Sequence, residues 1–200
     1  MSSVRLEFGV AAETLAGRRL SGDRHVVCGF DGGMLLGVLD GLGHGQEAHE
    51  AAHIAGSMLE AHPSEDLASL FARCHESLRA ARGVVMSLAS FRFADGTFAW
   101  AGVGNVEGRL LRANGGGGCE SLLLKAGLVG LRIPIFEAQR LPVAPGDTLV
   151  LFTDGIEGPV SDTVRRGLPP QEIANHILQR HQKGTDDALV LVARYPEEVP

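Results

Sequence analysis

Apolar residues in the first forty positions fall into short runs of strand type: VRLEFGV (4–10), HVVCGF (25–30) and MLLGVLD (34–40). Asp31-Gly32 stands between the last two at the spacing of a tight hairpin turn. From Gly45 to His62 the period changes, and Ala48, Ala51, Ala52, Ala55, Met58 and Leu59 recur as one helical stripe. A second helix is predicted over 64–81, opened by Ser64 and Asp66 after Pro63, with Leu67, Leu70, Phe71, Cys74 and Leu78 inward. VVMSLASFRF, a turn at Ala94-Asp95-Gly96, TFAWAGVG and EGRLLRA predict an antiparallel meander. Residues 114–118 read as a loop, and SLLLK and the stretch from Ile133 to Leu141 follow. TLVLFTDG is a further strand, 171–182 a third helix, and ALVLVARY a closing strand. Many sequential strands, with two helices inserted together and one near the end, predict an α+β antiparallel sandwich in place of a Rossmann alternation. With no internal repeat or linker, one domain over 1–200 is expected.

Two of these strands end on a carboxylate, and that changes the picture. Four Asp-Gly pairs occur, at Asp31, Asp40, Asp95 and Asp154. Asp31 and Asp95 lie between strand runs and read as turns. Asp40 and Asp154 instead follow near-continuous apolar runs of the kind that fills a buried central strand, so their carboxylates emerge at sheet ends. Asp186 and Asp187 stand in mirror position, just before ALVLV. Carboxylates gathered at one sheet end repel and raise one another's pKa unless a cation neutralises them. All-oxygen donors select hard ions such as Mg²⁺ or Mn²⁺, and a glycine after Asp40 would let a backbone carbonyl approach such an ion.

Composition narrows the partners. A formal charge of −6 argues against a general nucleic-acid binder. No stretch has the apolar length of a membrane span, and MSSVRLEFGV lacks the apolar core of a signal peptide. Cys28, Cys74 and Cys119 are odd in number and widely spaced, which fits reduced thiols and a cytoplasmic location.

His49-Glu50-Ala51-Ala52-His53 is a literal HExxH, and with Gly56 it follows a longer zinc-peptidase pattern until Leu59 replaces the third histidine. Glu76 would be the candidate third ligand. On a helical wheel His49 and His53 lie with Gln46, Ser57 and Glu60 opposite the apolar stripe, where solvent is expected. A zinc peptidase therefore stands as an alternative reading. DGLGHG lacks the third glycine of a dinucleotide fingerprint, its place being taken by Gln46.

In order along the chain, SGDRHVV, VLDGLGHG, FTDGIEG and TDDALVLV resemble the motifs of the metal-dependent protein phosphatases (type 2C, PPM), over essentially the whole length. The short length, DGLGHG, RCHESLRAARGVVMSL and AGVGNV are similar to the bacterial stressosome branch of that family. The resemblance implies a four-layer α/β/β/α sandwich with the site at the shared edge of two sheets. It implies Asp23 and the Gly41 carbonyl on one ion, Asp40 bridging, and Asp154 and Asp186 on the other, with Mn²⁺ or Mg²⁺ as the two ions. A bridging water would attack phosphorus in line. Arg19, four residues before Asp23, falls where relatives place a phosphate-binding arginine. Leu42 stands where some relatives have a histidine acid, so no general acid is assigned; ARGVV lacks the aspartate used elsewhere for a third metal. The implied substrates are phosphoserine or phosphothreonine on stressosome scaffold and antagonist proteins, in resetting a general stress response, with the enzyme a monomer. A phosphatase-like domain that only binds phosphoprotein is the second alternative.

Overall fold

The computed structural model describes residues 6–94, 96–113, 118–135 and 137–196. Its strands are β1 (Glu7–Glu13), β2 (Asp23–Phe30), β3 (Gly33–Gly41), β4 (Val84–Arg92), β5 (Thr97–Val103), β6 (Glu107–Leu111), β7 (Cys119–Ser121), β8 (Leu124–Lys125), β9 (Gln139–Pro142), β10 (Thr148–Phe152) and β11 (Ala188–Arg194). The helices are α1 (Gln46–Ala61), α2 (Leu67–Ser77) and α3 (Pro170–His181), with a 3-10 turn at Val160–Thr163. One sheet has the order β1-β11-β10-β6-β7, and the other β2-β3-β4-β5-β8, with β9 also on β5. All pairings are antiparallel except β5 with β8. Helices α1 and α2 cover the second sheet, and α3 packs on β1 and β11 of the first. This is the predicted four-layer sandwich.

The layers explain the unbroken apolar runs. In β10 and β11, Leu149, Leu151, Leu189 and Leu191 enter the core between the sheets. Their neighbours Val150, Phe152, Val190 and Val192 face Ile173, Ala174 and Ile177 of α3. A strand covered on both faces has no polar side to alternate with. At α2 the helix starts later than predicted because Asp66, not Ser64, is its cap, accepting from Ser69 N at 3.0 Å.

The meander expected through EGRLLRA is corrected. β4 and β5 pair as predicted, but the chain then turns at Gly104 (φ +99°) and β6 joins β10 in the other sheet. The Ser87 hydroxyl, buried on β4, donates to Val106 O at 2.6 Å and holds this crossing. Gly32 (φ +75°) makes the predicted hairpin. Asp95, the loop at 114–117 and Phe136 lie outside the described residues.

Candidate active site

Asp23 and Asp40 face each other as Cα partners on β2 and β3. Asp154 follows β10 and Asp186 precedes β11, and because these strands are antiparallel the two positions meet at one end of the other sheet. Thr153 ties the sheets together: its N donates to Leu189 O, its Oγ1 accepts from Leu189 N at 2.9 Å, and its hydroxyl donates to Asp23 Oδ2 at 2.7 Å. The four predicted aspartates therefore reach the shared edge.

They do not share one hollow. A cavity of about 300 Å³ is lined by Asp40, Asp154 and Asp186 together with Arg18, Leu42, His44 and Asn105. Asp23 lines the adjoining cavity of about 410 Å³ with Arg24, His25, His49 and His53. Asn105 Nδ2 donates to Asp154 at 2.9 Å, and Arg18 lies 3.6 Å from Asp186. Asp23, Asp154 and Asp186 are thus held by three different side chains, Thr153, Asn105 and Arg18, which keeps these mutually repelling anions apart. Among the described residues no group of three or more His, Cys, Asp or Glu side chains is drawn together as a finished metal cage. The donor chemistry nonetheless fits hard divalent ions: three carboxylates line this half-buried edge and leave it with surplus negative charge.

The glycines of Asp40-Gly41 and Asp154-Gly155 are demanded by packing. A Cβ on Gly41 would lie 2.1 Å from Ala48 O in α1, and one on Gly155 would lie 1.9 Å from Asp187 O. Neither glycine has a positive φ, unlike Gly32, so these are close approaches and not turns.

The adjacent aspartates have separate tasks. Asp187 is buried, and its two oxygens accept from Leu15 N and Gly22 N, each at 2.8 Å, fixing the segment that leads into β2. Asp186 is exposed and lines the cavity. Arg18 enters the cavity where the sequence pointed to Arg19, which is exposed and does not line it. Arg18 Nη1 is buried with no hydrogen-bond partner.

Burial pushes the Asp23 carboxyl up to about 8; Asp40, Asp187 and Asp154 add to this, and the Thr153 hydroxyl opposes it. Burial, then Asp154, Asp186 and Asp187, pushes Asp40 up to about 7. Both groups start from an ordinary value of 3.8, so between about 4 and 8 the folded chain holds protons that the unfolded chain releases. Their contribution is fully present below the unfolded pKa and is lost as pH rises through 7 and 8. The thermal midpoint of EDTA-treated protein is therefore expected to fall by about 10 °C from pH 6 to pH 8.5, and saturating Mg²⁺ is expected to flatten that slope. A midpoint in EDTA that rises or stays level over this range contradicts the unneutralised cluster.

The HEAAH helix is accounted for without zinc. Expected to face solvent, His49 is instead half-buried and donates from Nδ1 to Ser21 O at 2.9 Å, next to the Asp23 segment. His53 is exposed, and its Nδ1 accepts from Arg24, whose guanidinium also binds Glu60. Glu76 pairs with Arg79 on the surface.

Arg18, Thr153 and Asn105 were missed from the sequence, and Asp187 was picked out beside Asp186 without its structural task. Thr153 alone carried a signal: strand alternation turns it away from Asp154 and toward the other sheet.

This geometry can be set beside known proteins. Residues 31–196 match the family model described as Stage II sporulation protein E (SpoIIE). The phosphoserine phosphatase RsbX of Bacillus subtilis (strain 168) is 25% identical over 179 residues, 89% of each chain. A solved chain from work on the bacterial stressosome, a modular system adapted to control secondary messenger signalling, is 30% identical. The match covers 95% of this chain and 100% of that one, with a TM-score of 0.87. RsbX in complex with magnesium, 23% identical, superposes with a TM-score of 0.85 over 94% of each chain and supports the fold. Strand-end aspartates, two antiparallel sheets and a family match over most of the length agree: the chain belongs to the SpoIIE family of PP2C-type (PPM) phosphatases.

Proposed function

We propose that this single-domain chain hydrolyses phosphoserine or phosphothreonine on phosphorylated stressosome scaffold and antagonist proteins, and does so with two divalent ions, Mn²⁺ or Mg²⁺. Its class, a metal-dependent serine/threonine phosphoprotein phosphatase, follows from the family. The observation that carries the reading is the set of four aspartates delivered by both sheets to one edge, two of them with strongly raised pKa values, against a single arginine, Arg18, in the cavity lined by three of them. Asp23 and the Gly41 carbonyl would hold one ion, Asp154 and Asp186 the other, and Asp40 both. When bound, the ions supply a water of lowered pKa and neutralise phosphoryl oxygens.

The chain's own residues do the orienting. Thr153 aims Asp23, Asn105 aims Asp154, and Arg18, whose Nη1 makes no hydrogen bond and stands 3.6 Å from Asp186, is placed to give a phosphate oxygen a charge-assisted hydrogen bond. His44 lines the same cavity, and no general acid is assigned. No helix among the described residues is long and apolar enough to cross a membrane. The three cysteines are free, in keeping with a reducing, cytoplasmic setting.

Release of phosphate from phosphoserine peptides and from phosphorylated stressosome proteins, with Mn²⁺ or Mg²⁺ and with EDTA, tests the proposal. Binding without turnover at saturating metal would replace the enzyme by a phosphoprotein-binding module. Arg18→Ala is expected to lower kcat/KM about 10- to 100-fold, the loss of one charge-assisted contact to phosphate. Arg19→Ala is expected to stay within about twofold, as exposed positions usually do. The opposite ranking would restore Arg19 to the role first read for it.

A further inference from the structure

At the other end of the β10–β11 sheet lies a cavity of about 680 Å³ that the phosphatase chemistry does not use. Asp154 and Asp186 sit at one end of these strands, and Thr148 and Arg194 at the other. Asp154 is six residue steps beyond Thr148, about 20 Å of extended chain. Four arginines line the cavity, Arg112, Arg165, Arg166 and Arg194, against one carboxylate, Glu7. In a chain of net charge −6 this is an uncommon concentration of cations.

The four are not equivalent. Arg112 is already neutralised, donating to buried Asp147 at 2.9 Å and pairing with Glu120, and so forms a fixed back wall. Arg165, Arg166 and Arg194 have no carboxylate partner among the described residues; Arg166 reaches only the Arg112 carbonyl at 3.5 Å, and Arg194 only the Thr148 hydroxyl at 3.4 Å. Three guanidinium forks around one hollow suit the tetrahedral oxygens of a phosphate group. Leu111 and Val164 add apolar wall, and the volume is in the range that takes a small molecule and not merely an ion.

We propose that this cavity binds a phosphorylated small molecule, with its phosphate on Arg165, Arg166 and Arg194 and its non-phosphate part against Leu111 and Val164. The site is independent of the catalytic edge and of the function proposed for it. Calorimetric titration of the 200-residue chain in EDTA tests this, because without metal the carboxylates of the proposed catalytic edge repel anions. AMP is expected to bind one to one, with inorganic phosphate weaker at the same site. Arg165→Ala/Arg166→Ala is expected to weaken AMP binding at least about tenfold, through loss of two phosphate forks. Both side chains are exposed, so the variant keeps its circular dichroism spectrum. Arg18→Ala should leave AMP binding unchanged. Absence of saturable AMP binding overturns the proposal, as does binding lost in Arg18→Ala but kept in the double variant. Binding of a phosphoserine peptide without AMP would assign the cavity to a protein ligand and equally overturn it.

Discussion

Asp40→Asn is expected to lower phosphoserine hydrolysis at saturating Mn²⁺ by at least about three orders of magnitude while leaving the metal-free fold intact. Asp40 ends β3 opposite Asp23 and shares a cavity with Asp154 and Asp186, so it is the one carboxylate adjoining all the others. An amide there keeps the shape but removes the charge that would offset repulsion between two cations, so metal affinity and turnover should fall together. Stability should move the other way. Burial and the neighbouring aspartates push the Asp40 carboxyl up to about 7, so at pH 8 its ionised form strains the metal-free chain. In EDTA the asparagine variant should melt no lower than the parent and slightly higher above pH 7. Were Asp40 a turn residue like Asp31, asparagine before glycine would be tolerated. Near-normal turnover would refute its metal role.

What the sequence made legible here is what strand physics makes periodic. The runs that became β3, β10 and β11 are apolar throughout because each lies between two layers, and the aspartates at their ends were therefore visible as exceptions. The hairpin at Gly32 was visible for a similar reason, since its signal is two residues long. Tertiary choices were not. Nothing local to EGRLLRA says that β6 leaves its neighbour β5 for the other sheet; the Ser87 to Val106 hydrogen bond that holds the crossing joins residues nineteen apart. Arg18 and Arg19 are adjacent and chemically identical, and only the path of the 14–22 segment decides which enters the cavity. That path is set by Asp187, more than 160 residues away in sequence. His49 was misjudged for a related reason: the helical wheel separates apolar from polar faces, and it cannot see that the loop before β2 lies against the polar one.

Asp186 and Asp187 are expected to give the sharpest separation of function from folding in this chain. Asp187→Ala leaves Leu15 N and Gly22 N, two donors at a buried position, without an acceptor. At about 1–2 kcal/mol for each unsatisfied donor, a loss of about 3 kcal/mol is expected. For a chain of this size that is a fall of about 9 °C in the thermal midpoint. Relief of the repulsion that Asp187 exerts on Asp23 and Asp40 offsets part of this in EDTA and less with metal bound, so the destabilisation should be larger at pH 6 than at pH 8 in metal-free protein. Because the freed segment carries Arg18 and leads into Asp23, turnover should drop as well, but as a consequence of the loosened loop. Asp186→Ala is expected to do the reverse: the loss of an exposed side chain should shift stability by no more than about 0.5 kcal/mol, yet remove a carboxylate from the cavity proposed to be catalytic and with it most of the activity. Thermal melts and phosphopeptide turnover on both variants decide the matter. If Asp187→Ala melts like the parent while Asp186→Ala unfolds it, the two aspartates have been assigned the wrong way round.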